Sequence, residues 1–402
     1  MGLLRVLLSF SRMTTSYVVP SWIKELAWKN EPRWAEAITY LRNITKEDKV
    51  AVLYDDDGDG LSAASSVIVG ITRLRGTPPD FFEPFGHATS YIDDALPEKL
   101  RRLGITKLIT VDRVVDQKPT EFLQQLESVC PVLVIDHHKI YNTYSSPTFI
   151  MVKPQIVWET EPSSFPTAIL AYTLMSCVVD LSDRDWVPCI GITSDSAYPR
   201  WKIFVDEVAA KWELEAVKED PFIAPFGLMS NMIFCTQILA SYQLGEFLDL
   251  LVEGRHPNEV LNSGFRSLMG IVESEVEEWL ERLKTEILLF PEIELALANV
   301  QPKHAIKSLL INKLSHGKYA TWNLIILQDV VNGSRVTISA RRQDHKVPMN
   351  DLLEQCVKEF PDANAGGHVP AAGGSIRKQD EEKFIENVKN NLRARYALNK
   401  KE

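Results

Sequence analysis

Cysteine is scarce and scattered in this chain of 402 residues: Cys130, Cys177, Cys189, Cys235 and Cys356 form no C-x-x-C pair. Their odd number argues against a disulfide framework and fits a reducing cytosol. Long apolar runs are missing as well. Leu3 to Phe10 is interrupted by Arg5 and is too short to span a bilayer, and no later run approaches that length. The same stretch lacks a clear small-residue cleavage site, so it reads as a loose N-terminal extension, with Met13 as an alternative start. Positive charge is in deficit, with a net charge of -10. That balance argues against broad, sequence-blind coating of duplex nucleic acid and leaves room for local basic patches that hold phosphate. There is no internal repeat and no low-complexity tract.

What remains is ordinary globular composition, 45% hydrophobic and 24% charged, in a chain longer than one hydrophobic core usually supports. From Asp48 to about Ser196, short apolar runs (Val50–Tyr54, Phe81–Phe85, Leu108–Val111, Val132–Ile135) alternate with amphipathic ones (Ser62–Arg75, Ala95–Leu103, Thr120–Ser128). This alternation predicts an α/β domain with a mainly parallel sheet flanked by helices. Helical runs follow at Thr167–Val179 and Phe204–Trp212, with a short apolar run at Pro188–Ile192 between them. Helical spacing dominates 213–290, read as a helical connector. Beyond it, β-like runs at Leu295–Val300, Ser308–Ile311, Thr321–Leu327 and Arg335–Ala340 predict a smaller second α/β domain, closed by helices at Asn350–Glu359 and Asp380–Ala397. The expected division is an extension over 1–40, a first domain over 41–212, the connector, and a second domain over 291–402. The site is expected in the cleft between the domains.

Acidic residues mark the ends of the apolar runs. Asp55-Asp56-Asp57-Gly58-Asp59-Gly60 follows Val50–Tyr54, Asp112 follows Leu108–Val111, Asp136-His137-His138 follows Val132–Ile135, and Asp195 closes Gly191–Ser194. Ligands of parallel sheets gather beyond the carboxyl ends of the strands. Taken singly, each site has a plain alternative: a solvated turn, a helix cap for Asp112 or Asp195, an incidental histidine pair. An EF-hand loop fails, because the preceding run is β-like and its twelfth position is Ser66. Four such sites on one sheet edge are hard to attribute to chance. Carboxylates mixed with imidazole suit manganese or magnesium better than zinc, and two such ions clamp the oxygens of a transferring phosphoryl group. Asp112 is the natural bridge between them. Near the C-terminus, Gly366-Gly367-His368 and Ala371–Ser375 allow backbone amides and an imidazole to approach an anion, and Arg341 and Arg342 can grip a phosphate. His87, Tyr91 and the nine tryptophans are weaker candidates for substrate contact.

On these motifs the chain resembles the DHH phosphoesterase superfamily, in the subfamily with a C-terminal DHHA1 domain, and within it the archaeal RecJ-like single-strand exonucleases. Asp55–Ser62 is similar to the first motif, Asp112 to the second, Asp136-His137-His138 to the third and Asp195 to the fourth. Gly366-Gly367-His368 with Ala371-Ala372-Gly373 looks like the DHHA1 signature. The resemblance implies two Mn2+ or Mg2+ ions, with Asp57 on one, Asp59 on the other and Asp112 bridging, while His137 and Asp195 complete the second. It makes Asp136 an orienting residue, has His138 facing the scissile phosphate, and has Arg341, Gly366, Gly367 and His368 binding substrate. The implied activity is hydrolysis of single-stranded DNA or RNA to mononucleotides, 3′-to-5′ by analogy, in the cytoplasm and in company with a helicase or replisome protein. The alternatives are a phosphodiesterase of short oligoribonucleotides or cyclic dinucleotides, and a non-catalytic replication scaffold, whose mark would be lost ligands. One departure stands out: where related pyrophosphatases have a ligand histidine four residues before the first ligand aspartate, here Asp57, this chain has Leu53. Arg113, next to the expected bridge, alters the local charge.

Overall fold

The computed structural model describes residues 20–85, 93–330, 333–367 and 369–398, and the chain divides into two compact units, Met1–Arg266 and Ser267–Glu402. In the first unit, β1 (Val50–Asp55), β2 (Phe81–Phe85), β3 (Lys107–Val111), β4 (Val132–Ile135) and β5 (Phe149–Val152) form a sheet in the order β2-β1-β3-β4-β5. Each neighbouring pair is parallel. The strand order runs outward from β1 in one direction to β2 and in the other to β3, so a topological switch point lies between β1 and β3. Their carboxyl ends therefore open a crevice at that point.

Helices cover the sheet: α1 (Glu31–Arg42), α2 (Gly58–Arg75), α3 (Leu96–Leu103), α4 (Thr120–Val129), α5 (Pro154–Val157), α6 (Thr167–Ser176), α7 (Trp186–Ser194), α8 (Tyr198–Lys211), α9 (Pro225–Leu239), α10 (Leu244–Glu253) and α11 (Pro257–Leu261). Helix α2 packs against α6, α7 and α10 as well as β1. Its serines sit in this dry setting because their hydroxyls find carbonyls: Ser62 donates to Gly58 (2.7 Å), Ser66 to Ser62 (3.1 Å) and Ser65 to Leu251 (3.0 Å).

Several expectations need correction. Helix α1 overlaps the segment read as a loose extension, yet it belongs to the core. Asn30 caps it, and Trp34, Ile38 and Leu41, spaced along one face, are fully buried. The Tyr40 hydroxyl donates to the Leu108 carbonyl at 2.9 Å. Pro188–Ile192 lies in helix α7, so Asp195 follows a helix rather than a strand. Buried on all sides, that helix shows no amphipathic period. Strand β5 is a further buried apolar run, Phe149–Val152, beyond the four strands expected in this domain.

The second unit carries α12 (Arg266–Glu286), β6 (Leu288–Phe290), β7 (Leu295–Asn299), α13 (Lys307–Ser315), β8 (Asn323–Asp329), β9 (Arg335–Arg341), α14 (Met349–Val357), β10 (Asn364–Gly367), β11 (Ala371–Arg377) and α15 (Glu381–Leu398). Its mixed sheet has the order β10-β11-β9-β8-β7-β6. The boundary between the units falls inside the segment read as a connector, with α9 to α11 before it and α12 after. Ser308–Ile311, read as β-like, is part of helix α13. The glycine-rich stretch is the antiparallel pair β10–β11. Along β9, Val336, Ile338 and Ala340 enter the hydrophobic core with α14 and α15. Thr337, Ser339 and Arg341 alternate onto the opposite face, where α13 packs. No described helix is long and apolar enough to cross a membrane.

Candidate metal centre

The acidic loop begins where β1 ends. Asp57 caps α2, its Oδ1 accepting from the amides of Asp59 (3.0 Å) and Gly60 (2.9 Å). This turn is tight. A Cβ on Gly60 would lie 2.2 Å from the Asp55 carbonyl oxygen, so only glycine lets the chain double back here. Asp59, in the first turn of α2, is completely buried. Its two oxygens accept from the amides of Thr167 and Ala168, both at 2.8 Å. Helix α6 has no side-chain cap of its own; Asp59 supplies one from another helix, at the positive end of the α6 dipole. Gly191 of α7 makes room, since a Cβ there would meet Asp59 Oδ1 at 2.6 Å.

Asp112 follows β3 in the left-handed conformation, with φ of 57°, which aspartate tolerates better than most residues. Its amide still donates to the Ile135 carbonyl at 3.0 Å, and Thr167 Oγ1 donates to its Oδ1 at 2.9 Å. His137, after β4, brings its Nε2 to 3.3 Å from Asp195, 3.7 Å from Asp112 and 3.9 Å from Asp59. Three carboxylates from distant parts of the sequence thus face one ring nitrogen.

Potential ligand atoms fall into three overlapping groups, each within 4.8 Å: Asp55, Asp57 and Asp112; Asp112, His137 and His138; Asp59, His137 and Asp195. Burial and mutual repulsion raise the carboxyl pKa values. Asp55 is pushed up to about 6, first by burial and then by Asp57. Burial pushes Asp112 up to about 7. Asp59 and Asp195 are driven well above the usual carboxylate range by burial and by their acidic neighbours. Among the described residues, Arg113 beside Asp55 and His138 beside Asp112 set positive charge against five carboxylates. The donor set of hard oxygens with one or two imidazoles fits Mn2+ or Mg2+.

Beside the cluster runs a line of alternating charge. His138 Nδ1 is 2.7 Å from Asp136 Oδ1. Asp136 Oδ2 is 2.8 Å from Lys153 Nζ, which lies 2.9 Å from Asp116 Oδ1. Asp136 and Lys153 are fully buried. Although burial opposes it, the paired cations His138 and Lys153 hold the Asp136 carboxyl well below its ordinary value. His138 is raised to about 10 by Asp136, against the effect of burial. Sequence reading missed Lys153 and Asp116. Lys153 directly follows β5, and an unseen strand hides its own end.

In the second unit, the two arginines expected to grip phosphate have different surroundings. Arg342 is buried and engaged by Asp344 (2.6 Å) and Glu294 (2.7 Å) and by the Tyr396 hydroxyl (2.9 Å). It is a structural anchor and is not available to a ligand. Arg341 bonds the neutral Asn312 Oδ1 at 3.0 Å and has no carboxylate at ion-pair distance among the described residues. Lys307, on the same face, bonds Thr337 Oγ1 at 2.7 Å and is lowered to about 8 by burial and by Arg341. Gly366 pairs with Gly373 across β10–β11, and a Cβ on Gly366 would meet nothing within 4 Å. Gly367 has φ of 133°, and a Cβ there would lie 2.5 Å from the Ala371 carbonyl. His368, His87 and Tyr91 lie outside the described residues. Of the tryptophans, Trp34, Trp158 and Trp186 are fully buried in the core.

Residues 307–394 match the DHHA1 domain family. Among solved structures, the chain superposes on exonuclease RecJ bound to manganese with a TM-score of 0.64 and 16% identity, covering 89% of this chain and 94% of that one. It also superposes on RecJ in complex with Mn2+ from Thermus thermophilus (TM-score 0.67, 17% identity, 94% of this chain but only 56% of that protein). This chain has the DHH/DHHA1 fold of RecJ. A DHH domain from a member of a ribosomal-protein family aligns equally well, with a TM-score of 0.68 and 16% identity over 94% of this chain and 93% of that one. No curated protein matches at the level of sequence. Within the DHH/DHHA1 fold, the acidic groups occupy the edge of the first sheet at its switch point, and the DHHA1 unit carries the glycine hairpin and Arg341. Asp55, which the sequence reading left without a ligand role, belongs to the first acidic group. The signal was its alternation with Asp57 and Asp59.

Proposed function

We propose that the protein is a divalent-metal-dependent phosphodiesterase that degrades single-stranded nucleic acid from an end, releasing mononucleotides. The observation that carries this reading is the convergence of Asp59, Asp112 and Asp195 on His137 Nε2, beside a second acidic group of Asp55, Asp57 and Asp112. Asp57, Asp59, Asp112, His137 and Asp195, with Asp55 added, would hold two Mn2+ or Mg2+ ions. When bound, such ions lower the pKa of water and stabilise charge on the phosphate oxygens.

The chain's own groups do the rest. Asp112 belongs to two of the three groups and suits the bridging position. Thr167 fixes the Asp112 carboxylate through its hydroxyl and Asp59 through its amide, so one residue sets the spacing of both. His138, charged at neutral pH because Asp136 holds its proton, is suited to donate a hydrogen bond to a phosphate oxygen. Lys153 keeps Asp136 anionic and in place. In the DHHA1 unit, Arg341 with Gly366 and Gly367 suits a terminal phosphate. The likeness to manganese-bound RecJ supports nucleic acid as the substrate. The full set of acidic ligands argues against a purely structural scaffold.

The test is digestion of end-labelled single-stranded RNA and DNA of graded length with Mn2+, on wild type and His137→Ala. A ladder shortening from the 3′ end in wild type alone is the expected result. Cleavage restricted to di- and trinucleotides would replace the substrate assignment with short oligonucleotides. No hydrolysis of any phosphodiester would end the reading.

A further inference from the structure

Two basic side chains stand against the acidic cluster: His138, whose Nδ1 lies 3.8 Å from Asp112 Oδ1, and Arg113. Arg113 immediately follows Asp112, is buried, and places its Nη1 3.2 Å from Asp55 Oδ1. Asp55 is also a member of the acidic group with Asp57 and Asp112. A permanent guanidinium charge therefore sits against one of the three carboxylates of that group. In the other main group, the carboxylates of Asp59 and Asp195 have no arginine or lysine in ion-pair contact among the described residues. The Arg113 guanidinium therefore competes with a cation for Asp55.

We infer that Arg113 makes the two ion positions unequal: it weakens the one at Asp55, Asp57 and Asp112, so that the chain binds one Mn2+ tightly and a second only loosely. The inference rests on the two-ion reading above and deepens it. Two effects act together. Arg113 already neutralises one carboxylate, and a divalent ion entering nearby meets its repulsion in a poorly screened environment. Arg113 is not placed here as a catalytic residue. It is a positioning residue that sets how much free metal, or how much metal carried in by a phosphate substrate, is needed to complete the site.

The test reads metal binding directly. Free Mn2+ is followed by its paramagnetic resonance signal as the full chain is titrated, for wild type, Arg113→Leu, Arg113→Gln and Arg113→Lys. Wild type is expected to show one tight ion and a second at least about tenfold weaker. Arg113→Leu or Arg113→Gln should tighten the weak ion about tenfold, whereas Arg113→Lys keeps the charge and should keep the gap. Thermal melting confirms folding, and the glutamine variant serves if the leucine variant does not fold. Two equal affinities in wild type, or an unchanged or widened gap in the neutral variants, would overturn the role of Arg113 and leave the two-ion reading intact. Absence of any Mn2+ binding would overturn both.

Discussion

The two units present opposite electrostatic problems. At the edge of the first sheet, Asp55, Asp57, Asp59, Asp112 and Asp195 crowd together, with Arg113 against Asp55 as a permanent cation at one side of the cluster. On the polar face of the second sheet, Lys307 and Arg341 lie close together without a carboxylate partner among the described residues. Elsewhere the same chain neutralises buried charge with care: Lys153 stands between Asp116 and Asp136, and Arg342 between Asp344 and Glu294. Uncompensated charge is costly in a folded protein, so where it persists it marks places that complete themselves with something else. This contrast fits the proposed cation site in the first unit and the proposed phosphate contact in the second.

The sharpest way to break the comparison is at the acidic edge. His137→Ala should lower Mn2+-dependent hydrolysis by at least about a hundredfold while the melting temperature holds, measured by phosphodiester cleavage and calorimetry. Asp59→Ala is a poorer choice, because it also removes the cap of α6 and should cost about 1–2 kcal/mol of stability in denaturant unfolding. In the second unit, Arg342→Met should destabilise by about 1–3 kcal/mol, its partners Glu294 and Asp344 being partly exposed and able to recover water. Arg341→Ala should leave unfolding nearly unchanged and raise KM for a phosphate-terminated oligonucleotide about tenfold, more than it lowers kcat. If the two arginine variants behaved alike, the distinction between neutralised and waiting charge would fail.

The smallest expected effect is one of pH. Asp55 and Asp112 have folded-state pKa values raised from 3.8 to about 6 and about 7. The folded chain thus binds protons at these groups more tightly than the unfolded chain does. Their contribution to stability is complete below about pH 4 and is lost as pH rises through 6 and 7. Asp136, shifted the other way, acts only below its ordinary range and does not oppose this trend, and His138, raised from 6.5 to about 10, adds to it above pH 6.5. The metal-free melting temperature should therefore drift down across that window by a few degrees, while stabilisation by added Mn2+ should grow over the same range. A flat difference between metal-free and metal-loaded melting curves from pH 5 to 8 would separate these two carboxylates from metal binding.

The acidic edge was legible in the sequence because each strand of a covered parallel sheet is a continuous apolar run, and the residue that ends it is polar by contrast. Asp55, Asp112 and Asp136 stand out for that reason. Asp195 was also picked out, although the run before it is a helix buried on all sides, where neither period two nor period 3.6 shows. Lys153 follows the same rule, since Phe149–Val152 is a short continuous apolar run ended by a charged residue, but a cation at a strand end does not resemble a metal ligand. The fates of Arg341 and Arg342 were equally hidden. Adjacent residues on a strand point to opposite faces, but which face holds Glu294 and Tyr396 depends on elements far along the chain.

The left-handed backbone at Asp112 has one further consequence. Asparagine is among the few other residues at ease in that conformation, and it has nearly the same shape as aspartate. Exchanging a single oxygen for nitrogen at position 112 would leave the turn after β3 undisturbed while removing the charge shared by two of the three ligand groups. In a chain of this architecture, chemistry and shape can be uncoupled at that one point, so a descendant could lose its reactivity in one step and keep its form.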